Sequence, residues 1–115
     1  MKSLKGKLSF QKVFQQGIWI TRRNSPVRVK ILPLYEKKHQ EECTLGVIAS
    51  KKVGNAVQRN KARRQTREII REFEKSLGIA GTIVVVLSHD FRRFEYQEKK
   101  SRLHRIFKNF LAKSC

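Results

Sequence analysis

The sequence predicts a single α+β domain, and three observations carry that expectation. With 115 residues the chain can bury one modest core but not two. Two apolar stretches, residues 44–50 and 82–87, flank a long segment of helical periodicity. That order, strand then helix then strand, suggests a parallel pair joined by a crossover. Further strand-like and amphipathic helical segments lie on either side of this unit, so one domain is expected over residues 1–115.

Taken in chain order, the first element is a short helix over residues 9–16. Ser9 is the expected N-cap and Gly17 the stop, and Phe10, Val13 and Phe14 share one face. A strand over 18–21 follows, then a turn at Asn24-Ser25-Pro26. Residues 27–32 read Val-Arg-Val-Lys-Ile-Leu, an alternation that predicts a strand with an apolar core face and a cationic outer face. Pro33 marks its end or an edge, and residues 36–42 form a polar loop. Gly54 permits a tight turn after the 44–50 strand, and Asn55 caps a helix over 55–77 that Gly78 stops. The strand at 82–87 reads as fully buried. The last helix, 95–113, carries an apolar stripe of Tyr96, Leu103, Ile106, Phe107, Phe110 and Leu111.

Charge narrows the function. Lys and Arg number 27 against 9 Asp and Glu, a formal net charge of +18. Such a chain repels itself and favours a polyanionic partner. Nucleic acid fits best because the bases cluster on one helix; an anionic membrane surface and a merely solvated basic face are the rivals. No apolar run is long enough to span a bilayer, and the basic start at 1–7 lacks the apolar stretch of a signal peptide. Cys43 and Cys115 have no metal-type spacing and are expected to be reduced thiols in a cytoplasmic protein.

Spaced about 100° apart, the residues of the long helix separate into two faces. Ala62, Thr66, Ile69, Ile70, Phe73 and Leu77 gather on a packing face. Asn60, Arg63, Arg64, Arg67 and Arg71 form an adjoining arc, with Arg59 at its boundary. From Lys51 to Arg67 there is no acid; Glu68, Glu72 and Glu74 come later. Positive charge at a helix N-terminus opposes the helix dipole, a cost that a phosphate-rich partner offsets. The planar fork of Arg can contact two phosphate oxygens or stack on a base.

At these residues the chain resembles the ribonuclease P protein family. Its signature, a Lys-Lys-hydrophobic-Gly-Asn-Ala-Val lead into an Arg-Asn-Arg/Lys block, stands here as Lys51-Lys52-Val53-Gly54-Asn55-Ala56-Val57-Gln58-Arg59-Asn60-Lys61-Ala62-Arg63-Arg64. A weaker match covers residues 10–17. The resemblance implies a four-stranded sheet with three helices, like the second domain of a small-subunit ribosomal protein. It also implies a left-handed β-α-β crossover, where the general rule would give a right-handed one. It implies a subunit of a ribonucleoprotein endonuclease whose catalytic RNA holds the Mg²⁺ ions and removes the 5′ leader of precursor tRNA.

By position, the resemblance assigns Arg59, Asn60, Lys61, Arg63, Arg64 and Arg67 to the catalytic RNA, with Lys51 and Lys52 beside them. Phe10 and Phe14 would line a cleft for the single-stranded leader, and plain core packing is their alternative role. Arg28 and Lys30 would follow the leader's phosphates. The family commonly has an aromatic residue at the position of Arg28, so either the contact is more electrostatic here or Trp19 supplies the ring. Gln65 and Thr66 stand where apolar residues are usual. The resemblance implies no catalytic or metal-binding residue on the protein, no membrane contact and no obligate protein partner.

The residues themselves offer little to a protein-only nuclease, since the acids are scattered and His39, His89 and His104 fall in no motif. His39 with Cys43 is a weak metal-like spacing. A structural RNA-binding protein of ribosomal type remains the alternative, as it would share the charge but needs no single-strand cleft.

Overall fold

The structure, a computed structural model, describes residues 2–32, 43–77, 81–88, 91 and 93–113. The expected end at Pro33, the loop at 36–42 with His39, the stop at Gly78, and His89, Asp90 and Cys115 lie outside the described residues. The elements are β1 (Lys2–Ser3), α1 (Lys7–Gln16), β2 (Ile18–Trp19), β3 (Val27–Leu32), β4 (Cys43–Ala49), a 3₁₀ turn at Lys51–Val53, α2 (Ala56–Leu77), β5 (Gly81–Leu87) and α3 (Tyr96–Lys113).

They form one mixed sheet in the order β1-β4-β5-β3-β2. β4 and β5 are parallel neighbours, Cys43 opposite Gly81 through Ala49 opposite Leu87, and α2 is the connection between them. β3 pairs antiparallel with the other side of β5. The expectation of four strands is corrected to five. Lys2 and Ser3 pair in parallel with Thr44 and Leu45 and cover the outer edge of β4. A two-residue strand has no periodicity of its own, and only its distant partner defines it.

Alternation along the strands sorts the two faces. Val27, Val29, Ile31, Leu45, Val47, Ile83, Val85 and Leu87 point to one side and are buried against α2 and α3. From the helices come Ala62, Ile69, Ile70, Phe73, Leu103 and Phe107. This is the packing face that the helical wheel predicts, with Leu77 partly buried at its end. Thr66 is also fully buried, and its hydroxyl donates to the Ala62 carbonyl 2.9 Å away, so a polar residue sits in an apolar row without an orphan group.

The opposite face is covered in the middle by α1. Val13 is buried there, Phe10 lies over Gly46 of β4, and the Phe14 carbonyl accepts from Lys30 of β3, so α1 crosses the strands. A Cβ at Gly46 would stand 2.5 Å from the Phe10 ring; glycine is what admits it. Ser9 is not the cap of this helix. The Gly6 carbonyl already accepts from the Phe10 N–H, so the first turn begins at Lys7 and Ser9 lies inside it. Gly17 does end it, its N–H donating to Val13. β2 is shorter than expected, although Ile20 N–H still reaches the Val29 carbonyl.

Candidate functional site

The basic helix starts from a reciprocal cap. The Asn55 side chain accepts from the Gln58 N–H, and the Gln58 side chain accepts from the Asn55 N–H, both at 2.9 Å. This satisfies two donors that a helix start leaves open. Gly54 precedes it at φ 149°, in the left-handed half of the map, and a Cβ there would collide with Gln58. The tight turn therefore brings Lys51 and Lys52, both exposed, to the head of α2.

Beyond the cap, Asn60, Lys61 and Arg64 are exposed, while Arg59, Arg63 and Arg67 are half-buried. Two of the guanidinium groups are tied in place. Arg63 donates to Asn60 Oδ1 at 3.0 Å and to the Ala49 carbonyl at 3.4 Å; Arg67 donates to Ser3 Oγ. These bonds set the arc along the β4–β1 edge of the sheet. Two of the acids of the later turns, Glu72 and Glu74, are engaged elsewhere. Glu74 accepts from the Cys43 N–H at the start of β4, and Glu72 pairs with Lys100 of α3 at 2.7 Å. The first turns of α2 thus keep their positive charge, and the acids serve packing further along. Val57 sits among the bases and is 77% exposed, an apolar contact point that charge-based reading passes over.

The second group lies between α1 and the sheet. Cross-strand register places Arg28, Val86 and Ile48 in one row, all half-buried, beside the strip that α1 covers. Arg28 stacks over the Trp19 ring, 4.3 Å from guanidinium carbon to ring centroid. Trp19 is 37% exposed and stands 6.1 Å from Phe14, ring to ring. So the structure gathers Phe14, Trp19, Arg28 and Lys30 at one margin of α1, with Arg28 stacked on Trp19. Lys30 is more enclosed than alternation predicts. It is 8% exposed, and its ammonium lies 5.5 Å from the Phe14 ring centroid and 5.0 Å from that of Trp19. Phe10 is half-buried over Gly46, deeper under α1.

A buried cation that a charge-based reading passes over lies on α3, where Lys99 falls on the apolar stripe between Tyr96 and Leu103. Lys99 of α3 is buried at 6% exposure and donates to Gln65 Oε1 of α2 at 2.7 Å. Burial, followed by the nearby charge of Lys61, pulls its pKa down. This bond also accounts for Gln65, a polar residue on a half-buried position.

Among the described residues no three His, Cys, Asp or Glu stand close enough to hold a metal ion, and no helix is long and apolar enough to cross a membrane. Cys43 is buried, and desolvation, followed by the charge of Glu74, raises its thiol pKa to about 12.

Comparison with known proteins bears on the family and the fold. The family model described as Ribonuclease P matches residues 1–111. The ribonuclease P protein component of Bacillus velezensis (strain DSM 23117 / BGSC 10A6 / LMG 26770 / FZB42) is 31% identical over 105 residues, 91% of this chain and 85% of the relative. That of Bacillus cereus (strain B4264) is 30% identical over 99 residues, 86% of this chain and 82% of the relative. Among solved structures, the RNase P protein of Staphylococcus aureus superposes with a TM-score of 0.75 at 25% identity, covering 94% of both chains. The RNase P protein of Thermotoga maritima gives 0.70 at 26% identity, covering 95% of this chain and 97% of that one.

Proposed function

The chain belongs to the ribonuclease P protein family, and from that premise we propose how its two surfaces serve the enzyme. It is the protein component of a ribonucleoprotein endoribonuclease that acts in tRNA processing. In our reading the α2 arc, Arg59, Asn60, Lys61, Arg63, Arg64 and Arg67 with Lys51 and Lys52, binds the catalytic RNA. The margin of α1, with Phe10, Phe14, Arg28 and Lys30, takes the 5′ leader of precursor tRNA. Trp19 joins the leader site as the ring on which Arg28 rests.

The observation that carries this reading is the division of charge along α2. Acid-free first turns present Arg and Lys at a helix N-terminus, where backbone N–H groups add to the attraction for phosphate. The cleft margin offers rings and one half-exposed Arg, which suits a single strand of variable sequence. Mg²⁺ belongs, in this reading, to the RNA, which performs the cleavage in the cytoplasm; the protein binds that RNA and the leader.

Reconstitution with a bacterial ribonuclease P RNA at low Mg²⁺ tests it. The chain should stimulate release of the 5′ leader from precursor tRNA. Absence of stimulation under conditions where a Bacillus protein component stimulates the same RNA would refute the assignment.

A further inference from the structure

A groove of about 1020 Å³ runs between the β2 edge of the sheet and α3. It adjoins the α1 margin, with which it shares Trp19, and it lies across the sheet from the α2 arc, since β1 and β2 are opposite edges. Three cations line it: Arg22 from the turn after β2, and Arg102 and Arg105 from α3. Ile18, Ile106 and Phe110 give it an apolar floor, and Asn24 and Asn109 contribute amides. Among its described lining residues none is acidic. Glu98 does approach Arg102, but at 3.5 Å with both side chains about half exposed, a pairing too weak to neutralise the groove.

Register connects this groove to the leader site. The row Ile48–Val86–Arg28 crosses β4, β5 and β3 in turn. β2 continues alongside β3: Ile20 N–H bonds to the Val29 carbonyl, and Thr21 Oγ1 accepts from the Val29 N–H. That register puts Thr21 next outward from Arg28. Thr21 and Trp19 both line the groove, with Arg22 following. A strand laid across the row toward Arg28 on the α1 face reaches the β2 edge at Trp19 and Thr21, and rounding that edge toward α3 brings it to the groove that Arg22 also lines.

We propose that the groove between β2 and α3 is a second subsite for single-stranded RNA, holding nucleotides of the same strand beyond those seated at the α1 margin. The proposal rests on the leader-site reading above. Cations at the rim suit phosphates, an apolar and aromatic floor suits unpaired bases, and side-chain amides suit base edges. An acidic protein segment would use the rim but would leave the ring and apolar floor without flat partners.

The test is length dependence. The full chain is titrated with fluorescent uridine oligomers of about four and about twelve nucleotides, which bracket a small single-strand site. The long oligomer should bind at least about ten-fold tighter, and Arg22→Glu with Arg105→Glu should cut that gain to less than about three-fold while leaving the short oligomer unchanged. Lys5→Glu with Lys75→Glu, which makes the same change in net charge at exposed positions elsewhere, should preserve the gain. Phe14→Ala should weaken the short oligomer. A gain that survives in the groove variant, or disappears equally in the control, overturns the groove with the leader site intact. Unchanged short-oligomer binding in Phe14→Ala overturns the leader site and the continuity drawn from it. Equal competition by a glutamate dodecapeptide would show a general cationic surface and end the single-strand assignment.

Discussion

Cys43 and Phe14 show how far burial decides what a residue can do. Cys43 is enclosed at the start of β4, its backbone N–H bonded to Glu74, and its thiol pKa is about 12. An unfolded thiol ionises near 8.5–9. The folded chain therefore holds a proton that the unfolded chain releases. Its contribution to stability is intact below about pH 8.5 and falls as pH rises toward 12. In peptide mapping after iodoacetamide treatment at neutral pH, Cys43 should remain unmodified in the folded protein and react once urea unfolds it. Phe14 is the contrasting case: it is half-buried, 6.1 Å from Trp19 ring to ring, and part of the proposed leader site. Phe14→Ala should lower affinity for precursor tRNA about ten-fold, in line with one stacked base, and affinity for mature tRNA much less. Equal losses for both RNAs, measured by fluorescence anisotropy, would mean that Phe14 serves packing alone.

At the scale of elements, α2 was the most legible part of the chain. Its wheel separated Ile69, Ile70 and Phe73 from the Arg arc, and both faces stand where the spacing put them. Its two ends of function can be separated experimentally. Asn55→Ala breaks the reciprocal cap and should cost about 1 kcal/mol in urea unfolding, with little direct effect on RNA contact. Arg63→Ala with Arg67→Ala should do the reverse, weakening assembly with the catalytic RNA by at least ten-fold, about 1.4 kcal/mol, while circular dichroism shows the fold retained. α1 was less legible. Its length, its start and its position over Gly46 depend on contacts with strands far along the chain, which local spacing does not encode. Lys30 is more enclosed than its place on the outer face of β3 predicts, for the same reason. Alternation puts Lys30 on the outer face, where Phe14 and Trp19 cover it; Lys99 falls on the apolar stripe of α3, where Gln65 and Phe91 receive its ammonium.

Across the whole molecule the governing quantity is a net charge of +18 on a radius of gyration of 13.5 Å. That excess was plain from composition, but composition does not say where it goes. The fold places the α2 arc at the β4–β1 edge and a second group of Arg residues beside β2, across the sheet. If about six phosphates are neutralised at the arc, log K for RNA should fall against log salt with a slope near −5, about 10³-fold between 50 and 200 mM. Filter-binding measurements across that range check this, and a flat response would remove electrostatics as the basis of assembly. The fifth strand was beyond sequence reading for a complementary reason: Lys2 and Ser3 acquire meaning only through Thr44 and Leu45.

The bonds that tie Arg63 and Arg67 bear on the entropy of recognition. A free arginine on a surface samples many rotamers, and holding it against a phosphate forfeits roughly 2 kcal/mol of that freedom. Arg63 is already restrained by Asn60 and by the Ala49 carbonyl, and Arg67 by Ser3, each with N–H groups of its fork to spare. If the α2 arc binds RNA as proposed, much of the ordering of these two side chains happens when the protein folds rather than on binding. Preorganisation of this kind makes association less entropically costly without adding a contact. On the proposed assignment of the α2 arc, the short N-terminal strand, by supplying Ser3, helps order an RNA contact although it carries little of the charge.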